Sequence, residues 1–230
     1  MQQLIQILEG FETNRITDLE KYDWSALTEH DRTEKVSEWA MPIAKKIING
    51  GYFKLPDGYC IRIDTLELYY NEEKDGGLKD PIMYHTNDRI PQYVRKVKGD
   101  KYKYFSFGSL HLHTSGIDIT FENESEEYRA SFLIRGFSVF DNITAQPLFK
   151  EDCSTKIYDF MFPDGINSEN LAKIHWEPFE WGSEFTEPTG RQNVFEYEKD
   201  EAGMYKPNNT RTAFIPTKVR CKRKWKFKHK

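Results

Sequence analysis

The sequence predicts an α+β domain built on a mostly antiparallel, curved sheet or partial β-barrel, with N-terminal helices packed on it. Three observations lead there. Aromatic residues make up 15% of the chain, with 16 Phe and 13 Tyr, and such side chains favour the pleated, half-buried surface of a sheet. From Gly51 onward, apolar and polar residues alternate in runs separated by short Gly-containing turns, the pattern of antiparallel strands. Apolar residues at helical spacing concentrate before Gly51, so helices come first and strands follow.

Residues 2–10 read as a short amphipathic helix with Leu4, Ile5, Ile7 and Leu8 apolar. A second helical region runs from about Thr28 to Ile48. Thr28 and Asp31 are candidate caps, and Val36, Trp39, Ala40, Ile43, Ala44, Ile47 and Ile48 form its stripe. Pro42 is expected to break or kink it, because proline lacks an N–H and crowds the preceding turn. Asn49-Gly50-Gly51 ends it. Strands are expected at Gly51–Leu55 and Tyr59–Tyr70, joined by Pro56-Asp57-Gly58, where Pro presets φ and Gly accepts a left-handed conformation. Asn71–Lys79 reads as loop and 81–91 as irregular. Further strands are expected at Tyr102–Phe107, Ser109–Thr114, Ile117–Phe121 and Tyr128–Phe140. The span 141–203 reads as loops with one or two short helices. One domain over 1–217 is expected, with an irregular extension over 141–217 and a basic strand or tail at 218–230.

No stretch approaches the ~18 apolar residues of a membrane span, and Met1–Gly10 lacks a secretory pattern. Cys60, Cys153 and Cys221 are odd in number and far apart. They read as thiols of a reducing, cytoplasmic compartment rather than as a disulfide framework or a Cys-based zinc site. The net charge is −4, but residues 218–230 carry eight Lys/Arg and no acid, leaving the body at −12. In that tail Lys222, Lys224, Lys226, Lys228 and Lys230 alternate with Cys221, Arg223, Trp225, Phe227 and His229. Period two describes a strand with a lysine face and an aromatic-bearing face. The simpler reading is an edge strand guarded by lysines. The functional reading is a basic strip for phosphates, with Trp225 available to stack on bases.

Four constellations could carry chemistry. On Ile61–Tyr69, strict alternation puts Ile61, Ile63, Thr65, Glu67 and Tyr69 on one face and Arg62, Asp64, Leu66 and Leu68 on the other. Glu67 is a candidate general base if its face is inward, and a solvated charge if it is not. His111 and His113 share a strand face, which suits a metal together with Asp118 or His85, or plain hydrogen-bonded imidazoles. His85 follows a Gly-rich loop. Arg135 interrupts the apolar run Phe132–Phe137, where it needs a carboxylate such as Glu67 or a route to water.

The order of these pieces resembles the alkyladenine (3-methyladenine) DNA glycosylase family over about residues 39–140. MPIAKKIING, LPDG, IRIDTLELYY, DPIMYH, FGSLHLHTSG and ASFLIRGF come in that family's order. The resemblance implies an N-glycosidic-bond hydrolase of base excision repair, acting on a flipped-out base. Glu67 would activate water, and Arg135 would orient Glu67 or that water. Tyr69 and His85 would hold the base, with His111 and His113 as pocket or core residues. No metal or other cofactor is implied. Ile117, just past the Ser115-Gly116 turn, would be the apolar wedge into DNA, with Asp118 beside it repelling phosphates. Apart from the resemblance, the basic-strip reading of the tail makes Lys222, Lys224, Trp225 and Lys226 candidate nucleic-acid contacts. DNA or a nucleoside-type ligand is the expected partner, and no membrane. A non-catalytic module of the same fold, binding nucleic acid, a nucleoside or a protein, is the second reading. A metal enzyme using the His111/His113 pair is the third.

Overall fold

The computed structural model describes residues 1–80, 82–83, 85–87, 101–141, 143, 146–182, 184–191, 195–197, 218–220 and 223–229. Two N-terminal helices lie on one face of a curled antiparallel sheet, as the periodicity predicts. Helix α1 spans Gln2–Leu19, twice the expected length. Its buried stripe is Leu4, Leu8, Phe11 and Arg15. The stripe continues at helical spacing, but its last member is an arginine, and so the sequence pattern fades early. Helix α2 spans Glu29–Gly50 and starts with a capping box between Thr28 and Asp31. It runs unbroken through Pro42. An interior proline costs about 3 kcal/mol, whereas each large apolar side chain buried contributes about 1.5–3 kcal/mol. The buried face of α2, from Val36 to Ile48, therefore outweighs the proline.

The main sheet comprises β1 (Gly51–Lys54), β2 (Cys60–Glu72), β3 (Leu110–His113), β4 (Gly116–Thr120), β5 (Tyr128–Phe140), β6 (Phe149–Glu151), β7 (His175–Pro178) and, last in the chain, β10 (Lys226–Lys228). Its order is β3-β4-β5-β2-β1-β7, with β6 added on β5 and β10 on β2. A separate two-stranded pair joins β8 (Phe195–Tyr197) to β9 (Lys218–Arg220). The β1–β2 turn has Gly58 at φ +94°, as its Pro-Asp-Gly sequence predicts. One-turn helices at Ile157–Met161 and Ser168–Ala172 interrupt the extension. The expected strand at Tyr102–Phe107 is absent. There Tyr102 N–H donates to Asn87 Oδ1 and Phe105 N–H to Glu122 Oε2, so side chains take the place of a ladder.

The C-terminal residues are core, not tail. Strand β10 pairs with the middle of β2 and is bridged on its other side by Phe185 and Thr189. It is therefore an interior strand rather than a guarded edge. Trp225 and Phe227 are fully buried, and Trp225 Nε1–H donates to the Thr33 carbonyl of α2.

Beta-strand β2 departs from strict alternation. Its register against β5 runs Ile63↔Phe137, Thr65↔Gly136, Leu66↔Ile134, so the ladder skips Asp64 on one strand and Arg135 on the other. Each bulged residue switches the faces beyond it. Ile61, Ile63, Leu66, Leu68 and Tyr70 all enter the helix-side core. The expected grouping of Ile61 and Ile63 with Glu67 and Tyr69 is thus corrected. Gly136 permits the close approach: a Cβ there would lie 2.7 Å from Asp152 Oδ1 and 3.0 Å from Thr65 Oγ1.

Candidate functional site

The face of the sheet turned away from the helices is polar and yet buried. Register alignment places His111, Asp118, Leu133, Glu67 and Lys226 in one row across β3, β4, β5, β2 and β10. Directly opposed residues in antiparallel strands share a face, so these side chains project together. The adjoining row is Thr120, Ser131 and Tyr69. Glu67, Asp118, Thr120, Ser131 and Arg129 are all buried. What buries them is not the helices but segments from elsewhere in the chain.

One such segment carries Asp80, Ile82, Met83 and His85. Asp80 makes a two-pronged pair with Arg191, at 2.7 and 3.1 Å. Burial pushes the Asp80 carboxyl up, but the Arg191 charge and its hydrogen bonds prevail and hold it below the usual range. The Arg191 guanidinium also lies over the rings of Tyr69 (4.8 Å) and Trp225 (5.1 Å). It thereby fixes the back of the Tyr69 ring. A second segment, 102–105, is tied down by Arg129, which donates to the carbonyls of Tyr102 and Lys103 and lies 4.0 Å from the Tyr104 ring centre. Arg129 in turn pairs with Glu73 (2.5 Å) and Glu122 (3.1 Å), and Glu122 Oε1 is 2.8 Å from His85 Nε2. Nothing in the sequence patterning marked Arg191, Arg129, Glu73 or Glu122. Arg129 and Glu122 are seven residues apart, but the partners Glu73, His85 and Asp80 lie 37 to 111 residues away, and only the tertiary fold joins them.

Tyr69, Ile82, Met83, His85, His113, Ser115, Asp118 and Leu133 line a cavity of about 100 Å³ on this face. That is several times the roughly 10–15 Å³ one water needs. Burial, then the neighbouring Glu67, pushes the Tyr69 hydroxyl well above its ordinary range, so it remains a neutral donor. Its other neighbours Arg191, Asp80 and Asp118 act in opposing directions. His113 is held in place by its main chain: its N–H donates to Tyr158 Oη (2.9 Å), which lies 2.6 Å from its carbonyl oxygen. His111 stacks on Phe105, 4.0 Å between ring centres, and does not line the cavity. Burial lowers its pKa, with His85 and His113 adding to the effect and Asp118 opposing it.

Glu67 lies beside the cavity rather than in its wall. It is fully buried, and Arg135 Nε stands 3.9 Å from its Oε1. Arg135 is the residue skipped by the β2–β5 register. The bulge is what turns its guanidinium back along the sheet, where Nη1 donates to Ser154 Oγ at 3.1 Å. Lys226 faces the same group of charges. Burial lowers its pKa, against the pull of Glu67 and Asp152.

The fold thus brings Glu67, Arg135, Tyr69, His85 and His113 onto one face, with His111 at its border. Two expected nucleic-acid contacts are corrected. Ile117 points into the core and is fully buried, so it presents no wedge. Trp225 is fully buried between Arg191 and Arg223, so its ring is closed to base stacking. Lys224 is exposed; Lys222, like Cys221, lies outside the described residues. Cys60 and Cys153 are free thiols. Among the described residues no group of three His, Cys, Asp or Glu is arranged to hold a metal ion, and no helix is long and apolar enough to cross a membrane.

Comparison of the chain with protein-family models, with characterised proteins and with solved structures gave no significant match.

Proposed function

We propose that the protein hydrolyses an N-glycosidic bond, seating a planar base in the cavity and using Glu67 to activate the attacking water. One observation carries this reading. A fully buried carboxylate with a guanidinium 3.9 Å away stands in the same sheet row as Asp118 and Leu133, which wall a cavity together with Tyr69, His85 and His113. Hydrolysis at an anomeric carbon calls for a carboxylate to take the water proton and a site that excludes bulk water. Arg135 orients Glu67, and the Tyr69 ring, backed by Arg191, supplies an aromatic wall. The C1′–N bond breaks with its electron pair on the leaving nitrogen. Water delivers hydroxide to carbon and its proton to Glu67, from which the base can be reprotonated.

Oligonucleotides carrying hypoxanthine or 3-methyladenine, single-stranded and duplex, test the reading. Base release that falls by roughly 10²–10⁴-fold in Glu67→Gln is the expected result for a lost general base. No release by the wild type from any of these substrates defeats it.

A non-catalytic base- or nucleoside-binding module is the second reading. The observation favouring it is that Glu67 borders the cavity without lining it. Binding of bases without release from any substrate would decide for it. The acidic body, at −12 outside the last thirteen residues, favours single nucleosides or strands over duplex DNA, because few neutralised phosphates mean weak duplex binding at physiological salt.

A further inference from the structure

Asp118 is the carboxylate that does line the cavity, and its hydrogen bonding is incomplete. It is 3% exposed. Its Oδ2 accepts from Ser131 Oγ–H at 3.2 Å. Its Oδ1 lies 3.2 Å from His113 Nε2, outside hydrogen-bond alignment, and has no hydrogen-bond partner among the described residues. A buried acceptor left in that state costs about 1–3 kcal/mol. Buried polar atoms in folded proteins are nearly always paired, and an exception on a cavity wall marks where a donor from outside belongs.

The surroundings narrow what that donor is. Ser115 N–H donates to His113 Nδ1 at 3.2 Å, so Nδ1 is the accepting nitrogen of this ring and Nε2 is the one turned toward Asp118. The imidazole is thereby kept from offering an acceptor at this corner. The rest of the lining is mainly apolar or aromatic, from Leu133, Tyr69, Ile82 and Met83, with His85 and Ser115 as its other polar residues. Such a slot suits a flat ring, and a carboxylate at its edge takes N–H groups and repels carbonyl oxygens.

We propose that Asp118 is a specificity-determining residue that accepts a hydrogen bond from an exocyclic amino group on the edge of the heterocycle bound in the cavity. The inference rests on the base-pocket reading above and adds which edge is read. A site built to bond an N–H discriminates strongly against the analogue lacking it, because its own acceptor is then left unpaired.

The test is a calorimetric or chemical-shift titration of the full chain with 9-methyladenine and 9-methylpurine, the methyl group standing for the sugar carbon. The amino-bearing ligand is expected to bind on the order of tenfold more tightly. Asp118→Asn is expected to shrink that ratio to about threefold or less. Equal affinities in the wild type overturn the inference while leaving the base pocket in place, and that comparison decides the matter even if the variant does not fold. An undiminished preference in folded Asp118→Asn also overturns it. Failure of both ligands to bind removes the base-pocket reading and this inference with it.

Discussion

Strand β5 has two buried faces that are buried for opposite reasons. On the helix side, Ala130, Phe132 and Ile134 meet Phe121, Leu66, Leu68 and Tyr70, and the whole is sealed by α1 and α2. Apolar surface removed from water stabilises this side at about 25 cal/mol per Å², without any need for particular partners. On the other side, Arg129, Ser131, Leu133 and Arg135 meet Glu73, Glu122, Asp118 and Glu67. There each polar atom costs stability unless it is paired. Arg129 is spread over two carboxylates and two carbonyls for that reason. The contrast teaches that burial alone does not define a core. The helix-side face is where folding energy is gained. The opposite face spends part of it to hold charges out of water around a cavity.

Neighbouring substitutions on β5 sharpen the contrast. Phe132→Ala empties a site between Phe121 and Phe227 and should cost about 3–5 kcal/mol in urea unfolding. Ser131→Ala, one residue away on the other face, removes a single donor to Asp118 and should cost about 1–3 kcal/mol. If both reduce stability equally, the distinction between the faces fails. The smallest effect is a pH dependence confined to acid. Burial pushes Asp64 up, but hydrogen bonds from His229 and Ser138 and the Arg62 charge prevail, and its carboxyl lies below the ordinary 3.8. Asp80 is lowered from the same value by Arg191. A carboxyl with a depressed folded pKa binds its proton first in the unfolded chain. The stabilisation is therefore complete above about pH 4 to 5 and is lost as pH falls through the lower folded values. Unfolding curves should superimpose between neutral pH and that limit and then shift to lower urea; a loss already under way at pH 6 would contradict these pairings.

Legibility differed between the faces in the same way. The α2 stripe, its Thr28 cap, the Pro56-Asp57-Gly58 turn and the strands 110–113, 116–120 and 128–140 were readable, since each depends on residues close in sequence. The register of β2 was not, because the skipped Asp64 and Arg135 belong to two strands whose irregularity exists only when they pair. Alternation taken literally put Glu67 with Ile61 and Ile63, whereas the bulge separates them. The fate of Trp225 was equally hidden: a basic, aromatic terminal run looks the same whether it lies on the surface or is inserted beside β2.

By itself the sequence determined the fold class, the helix-first order and most strand positions, because hydrophobic periodicity and turn chemistry are local and each element carries its own signal. It also singled out Glu67, Tyr69, His85, His113 and Arg135 as residues of interest. Only the tertiary structure decided that these meet on one concealed polar face, that Asp118 rather than Glu67 lines the cavity, and that Arg129 and Arg191 hold the covering segments. Pairing between charges more than a hundred residues apart, as for Asp80 and Arg191, has no periodicity to read; it follows from strand register and from the cost of leaving any buried charge alone.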